Sequence, residues 1–289
     1  MNEPLEFKKK SNLKEIWRRL RKDKLAMFGL IILLIIIMMA ICAPLISPYD
    51  KVVKLNARER LQPISKEHIF GTDSYGRDTF ARCVYGARMS LMIGLVCAIL
   101  STIIGSLIGG LSAYIGGNFD MILMRFFDII AAIPGLLLAM AVVAALGSSV
   151  FNLILAMTIT SIPSVARIVR STVLNISDQE YIEACRLSGT SIWRILTKHV
   201  LPNAIGAIIV KGTMSLSALI QTIATLSFLG LGINPPTPEW GALISEAKEF
   251  MRTDPTMILF PAALLCLTTF AISVFGDGLR DALDPRLKN

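Results

Sequence analysis

Charge is scarce in this chain, and over long stretches it is missing. Only 17% of the 289 residues are Asp, Glu, Lys or Arg, whereas 54% are apolar. Residues 25–46 hold no Asp, Glu, Lys, Arg or His. At 1.5 Å per helical residue that run covers roughly 33 Å, enough for a hydrocarbon core of about 30 Å. Histidine is nearly absent: His68 and His199 fall in distant parts of the sequence, which argues against a His-rich metal cage. The five cysteines are odd in number and scattered, with Cys42, Cys97 and Cys266 inside apolar runs and Cys83 and Cys185 in loops. They read as small apolar filler rather than a disulfide framework. No G-x-x-x-x-G-K-[ST] sequence occurs, so no phosphate loop for ATP is expected in this chain, and no cofactor site stands out. No nucleophile–base constellation stands out either, and an enzyme is not the expected class.

Long apolar runs are what the chain does have. Candidate spans cover 25–46, 89–115, 121–146, 150–170, 205–231 and 257–275, with Gly147-Ser148-Ser149 as the turn between the third and fourth. In lipid every backbone polar group must be satisfied internally, so the expected fold is all-α: a polytopic membrane bundle of six transmembrane helices. The first run is longer than the 7–15 residues of a signal-peptide core, and Ala43-Pro44 is a poor cleavage context, so it reads as a retained anchor.

The net charge of +8 is explained by topology rather than by nucleic acid, because the basic residues gather beside the spans. Nine precede the first span, from Lys8 to Lys24. Five surround the loop after span four (Arg167, Arg170, Arg186, Arg194, Lys198), and Arg280, Arg286 and Lys288 close the chain. The opposite side carries ten, eight of them within 47–88, partly offset by Asp50, Glu59, Glu67, Asp73 and Asp78. The positive-inside rule therefore favours cytoplasmic N- and C-termini.

Along the chain, 1–24 reads as a basic tail over 1–10 followed by an interfacial helix from Asn12. That helix puts Leu13, Ile16, Trp17 and Leu20 on one face, with Asn12 and Glu15 placed to cap it. After the first span (25–46), an outer loop over 47–88 contains FGTDSYGRDTF. There Asp73, Arg77 and Asp78 are expected to tie the loop down by paired charges rather than bind a ligand. A five-helix core covers 89–277, and 278–289 is a C-terminal tail. Gly105 and Gly109, with Ser101, form a small-xxx-small packing signal. Pro134 and Pro163 are expected to kink their spans. Arg125 and Asp128, one turn apart, are expected to neutralise each other, and Lys211 to anchor span five near its cytoplasmic end. Ser217, Gln221 and Thr225 recur every four residues along span five, with Phe228 continuing the stripe. Such a stripe suits the lining of a hydrated path, and hydrogen bonds between packed helices remain open as the alternative. Prolines 235, 236 and 238 end that span, and 242–251 is expected to form a short amphipathic helix at the outer surface, following Trp240.

The richest stretch is residues 181–203, YIEACRLSGTSIWRILTKHVLPN, inside a loop over 171–203. Glu183 and Ala184 favour helix, Gly189 permits a sharp bend, and Pro202 is expected to stop the segment after it. Two short helices, 178–188 and 192–200, follow from that reading. The spacing resembles the EAA coupling loop of ABC-importer permeases, with Cys185 where an Ala is usual and His199 where Ile is common. FGTDSYGRDTF, the 226–251 block and FGDGLRDALDPR are similar to the dipeptide/oligopeptide/nickel branch, specifically its second, C-type permease. Together the four blocks cover most of 14–286.

The resemblance implies a translocation subunit in the cell (inner) membrane, built like a type I ABC-importer permease. It implies pairing with a related permease, two ATPase subunits that hold ATP and Mg, and an extracytoplasmic solute-binding protein. Glu183, Ala184, Gly189, Leu201 and Pro202 would couple to the ATPase, and Trp240, Glu246 and Glu249 would face the binding protein. Di- or oligopeptides are the first expected solutes, then nickel or a metal chelate. The rival class is a secondary transporter or channel, which would place ionisable residues at midplane, where this chain has none.

Overall fold

The computed structural model describes residues 12–283. The basic tail expected over 1–10, the cap expected from the Asn12 side chain and the end of the C-terminal tail lie outside the described residues. The described chain is helical apart from turns and one isolated bridge, Thr72 to Asp78. In order the helices are α1 (Asn12–Leu20), α2 (Lys24–Ile41), α3 (Ala43–Ile46), α4 (Asp50–Val53), α5 (Thr79–Ile115), α6 (Gly117–Ala132) and α7 (Gly135–Leu146). They continue with α8 (Val150–Ser177), α9 (Glu180–Leu187), α10 (Ile192–Ile195), α11 (Leu201–Phe228), α12 (Trp240–Ala247) and α13 (Thr256–Leu283). Five helical stretches are long and apolar enough to cross a bilayer, and α6 with α7 forms a sixth, broken by an 85° bend.

Each boundary has a local cause. Asp23 starts α2 by accepting from the backbone N–H groups of Leu25 and Ala26 at 2.9 and 3.1 Å. The first span ends at Ile41 rather than 46, because the chain turns at Cys42 before Pro44 opens the short α3. Asp78 accepts from Ala81 N at 2.8 Å, so α5 begins at Thr79, ten residues ahead of the expected span. Ser149 accepts from Asn152 N at 3.1 Å and starts α8 after the expected Gly147 turn.

Two prolines behave differently from expectation. Pro134 breaks the third span instead of kinking it. Its steric bulk holds Ile133 extended (φ −88°, ψ 127°), and the helix stops there. Pro202 does not stop a helix. Between α10 and α11 the chain makes one wide turn, Leu196–Val200, in which Leu201 N–H bonds Leu196 O five residues back. The wide turn accommodates the missing proline donor, and Ile192–Phe228 runs as a single 37-residue helix.

The bundle centres on α5, packed along α8. At Gly105 an added Cβ would lie 2.7 Å from Val165 Cβ, so only glycine permits this approach. One core cluster joins Ile93 and Cys97 of α5, Val143 of α7, Leu153 and Met157 of α8, and Ile223 of α11. A second, at the opposite end of α8, gathers Val169, Val173, Ile182, Ile195, Leu196 and Val200. The first helix, α1, rests on α13 through Ile16 and Leu20 against Phe275 and Ala282, leaving Trp17 51% exposed. Asp128 pairs with Arg167 of α8 at 3.4 Å, not with Arg125 as expected from their spacing. Asp120 forms a two-pronged ion pair with Arg170, both bonds at 2.5 Å, which fastens α6 to α8.

Candidate functional site

Three regions hold the candidate residues. The first is the elbow formed by α9 and the α10–α11 helix. α9 closes with a Schellman pair of bonds: Gly189 N–H to Arg186 O at 3.0 Å and Thr190 N–H to Cys185 O at 3.2 Å. The motif needs a left-handed residue at Gly189, whose φ is +70°, and open space surrounds its Cα. Three contacts hold α9 in place. Ile182 is fully buried in the second core cluster. Asn203 Nδ2 donates to Tyr181 Oη at 3.0 Å, linking the two ends of the motif. The Arg186 guanidinium sits 4.9 Å from the Tyr114 ring centre at the end of α5. The outward side of this fixed element carries Glu183, Ala184 and Gly189, all exposed, and Pro202 is exposed nearby. Leu201 is half-buried and packs inward instead. Sequence spacing did not single out the exposed apolar residues of this element: Leu187, one helical turn after Glu183, is 84% exposed, and beyond the bend Trp193 is 60% and Ile192 53% exposed.

The second region is one face of α11. Gln221, Thr225 and Phe228 are exposed together. Ser217 does not belong with them. It is buried against α13, donating to Thr269 O at 3.0 Å and accepting from Ser273 Oγ at 2.9 Å. The four-residue spacing matched on paper, but each step of four falls 40° beyond a full turn, enough to swing Ser217 onto the neighbouring helix.

The third region is the end of the bundle under the 47–78 loop. Asp73 Oδ2 accepts from Arg77 Nε at 2.6 Å and Arg82 Nη1 at 2.7 Å. Glu246 of α12 completes the cluster, accepting from Arg77 Nη2 at 2.5 Å and from Arg82 at 2.7 and 3.1 Å. The Asp78 side chain caps α5 and meets His68 Nδ1 at 2.9 Å. The paired charges expected in the loop are present, extended by Arg82 and Glu246, which lie 164 residues apart. Trp240 is fully buried and donates through Nε1 to Cys83 O at 3.0 Å, and the buried Glu239 caps α12. Trp240 therefore offers no docking surface and Glu246 is engaged internally. Of the three residues expected to face a binding protein, Glu249 alone is exposed.

Comparison with known proteins places this arrangement. Residues 89–289 match the family described as binding-protein-dependent transport system inner membrane component. The chain belongs to that family. Residues 11–63 match the N-terminal transmembrane domain of oligopeptide transport permease C, which accounts for α1, α2 and the start of the outer loop. The dipeptide transport system permease protein DppC of Alkalihalophilus pseudofirmus is 42% identical over 96% of this chain and 90% of its own length. The oligopeptide transport system permease protein OppC of Bacillus subtilis is 44% identical over 99% and 93%. The glutathione transport system permease protein GsiD of Escherichia coli is 44% identical over 95% and 90%. A chain of the inward-facing MetNI methionine ABC transporter superposes with a TM-score of 0.58, covering 70% of this chain and 96% of its own, at 20% identity. The fold is thus that of an importer permease, and the chain is a multi-pass membrane component of a transport system.

Proposed function

We propose that this permease is the C-type translocation subunit of an ATP-driven importer for di- or oligopeptides. It pairs with a related permease, two ATPases dock beneath the pair with one of them on the α9 elbow, and a solute-binding protein docks over the 47–78 loop and α12. The observation that carries the coupling role is the elbow itself. Leu187, Ile192 and Trp193 stand exposed along with Glu183 on an element anchored at Ile182, Tyr181 and Arg186. Exposed apolar surface beside polar residues is what a partner protein covers. Both termini and the elbow face the cytoplasm in this reading, as the basic residues require. ATP and Mg bind to the partner ATPases, and this chain holds no cofactor. Closure of the ATPases draws the elbow inward, and the continuous helix from Ile192 to Phe228 carries that motion to the face with Gln221 and Thr225, which lines the path. Peptides rank ahead of nickel or a metal chelate because the relatives compared are dipeptide, oligopeptide and glutathione permeases.

The test is capture of the tagged chain from detergent-solubilised native membranes, mass spectrometry of what accompanies it, and uptake of labelled dipeptides by proteoliposomes of the recovered complex. A second six-span permease and a P-loop ATPase are expected, with uptake that requires ATP. A chain that purifies alone and transports alone overturns the proposal in favour of a secondary transporter.

A further inference from the structure

A small cavity lies where α5, α12 and α13 meet beneath the outer loop. Its lining includes Asp73, Thr79, Arg82, Glu246 and Met257, and its volume is about 10 Å³. Two polar atoms of that lining are buried and have no hydrogen-bond partner: Thr79 Oγ1 and Arg82 Nε. Arg82 is only 2% exposed, and both of its terminal nitrogens are already committed to Asp73 and Glu246. Those three bonds leave two of the five guanidinium donors open, the Nε–H and one Nη2–H; the Nε atom is buried with no partner, and a buried N–H without an acceptor is strongly disfavoured.

We infer that this cavity is a hydration site holding one ordered water, which accepts from Arg82 Nε–H and exchanges a second hydrogen bond with Thr79 Oγ1. The size is right, since a single water needs about 10–15 Å³ of this kind of space and two or more polar partners. The charge is right as well. Arg77 and Arg82 balance Asp73 and Glu246, so the cluster is formally neutral. An anion would face the oxygens of two carboxylates and a cation would face two guanidiniums, whereas a neutral molecule that both donates and accepts meets neither penalty. Leu243, Ala247 and Met257 form the apolar part of the lining, and a volume of about 10 Å³ limits the occupant to a single molecule rather than a chain of waters. The water belongs to the joint between loop, α5 and α12, and is separate from the proposed path on α11.

The test is a map of the full chain in its native transporter complex, in lipid nanodiscs, at a resolution that shows waters, together with Thr79→Val and Thr79→Ser. The expected result is one peak within about 2.6–3.2 Å of both atoms. Thr79→Ser should keep that peak and the wild-type melting temperature, while Thr79→Val should lose the peak and melt several degrees lower. Four outcomes overturn the inference: an empty cavity, an Arg82 side chain rotated so that Nε meets a carboxylate directly, a bromide peak at the site after exchange into bromide buffer, or a Thr79→Val protein that keeps the peak. If the valine variant does not accumulate, the wild-type and serine maps decide.

Discussion

Replacing Glu246 by Ala separates two roles that its position at the end of the bundle under the 47–78 loop allows. Glu246 accepts three hydrogen bonds from Arg77 and Arg82, whose side chains are 3% and 2% exposed. Without it, two buried guanidiniums share Asp73 alone. Removing one member of a buried ion pair costs about 3–5 kcal/mol, because the remaining charge stays desolvated. Glu246 keeps 18% of its own exposure, so water reaches the vacated position and the lower end applies: about 3 kcal/mol. That is roughly a 150-fold shift in the folding equilibrium. Glu249→Ala, on the exposed turn after α12, is the control and should stay within about 0.5 kcal/mol of wild type. The assay is reversible unfolding in mixed micelles titrated with a denaturing detergent, run beside a binding measurement with the cognate solute-binding protein. An unchanged unfolding midpoint for Glu246→Ala, joined to a selective loss of binding-protein affinity, would refute the internal role and return Glu246 to the docking surface.

Other expected outcomes are as direct. Gly189→Arg should abolish ATP-dependent uptake while the chain still inserts. The left-handed backbone costs an L-residue about 1–2 kcal/mol, and the long side chain projects into open space where the ATPase would seat; retained uptake counts against the elbow as the coupling point. Gln221→Trp should block uptake without preventing recovery of the assembled complex, and unchanged uptake removes the α11 face from the path. Trp240→Phe should cost about 1 kcal/mol through the lost Nε1–Cys83 bond, and Trp240→Ala about 3–5 kcal/mol through the cavity it leaves, both read as unfolding midpoints.

The apolar runs announced the spans because lipid leaves the backbone so few solutions, and the elbow was readable because Gly189 and its neighbours form a local motif. Proline was harder. The same residue type breaks α6 from α7 at Pro134, stays inside continuous α8 at Pro163, and follows a wide turn at Pro202. Which of these occurs depends on whether nearby turns can absorb a missing donor, and that is settled by packing. Distant partners were invisible for a simpler reason. Nothing in the spacing of Arg82 and Glu246, or of Asp120 and Arg170, says that they meet. Spacing could not separate the two readings of Ser217, path lining or hydrogen bonding between helices, because a four-residue period is close to, but not equal to, the helical repeat, and the neighbouring α13 decides which side of that small difference is sheltered.

In the coupling proposed above, the continuous helix from Ile192 to Phe228 would act as a beam with a fulcrum. Gly212 lies where an added Cβ would be 3.0 Å from Thr102 Oγ1, so one close approach of the beam to α5 lies there, with a second at Ile220 against Gly94. At 1.5 Å per residue about 30 Å of helix lies on the elbow side of Gly212 and about 24 Å on the other. A tilt of about 5° over those arms displaces the elbow end by about 2.6 Å and the far end by about 2.1 Å in the opposite direction. A small push at the elbow would then reach the far end as a nearly equal, reversed movement, less whatever the wide turn at Leu196–Val200 absorbs.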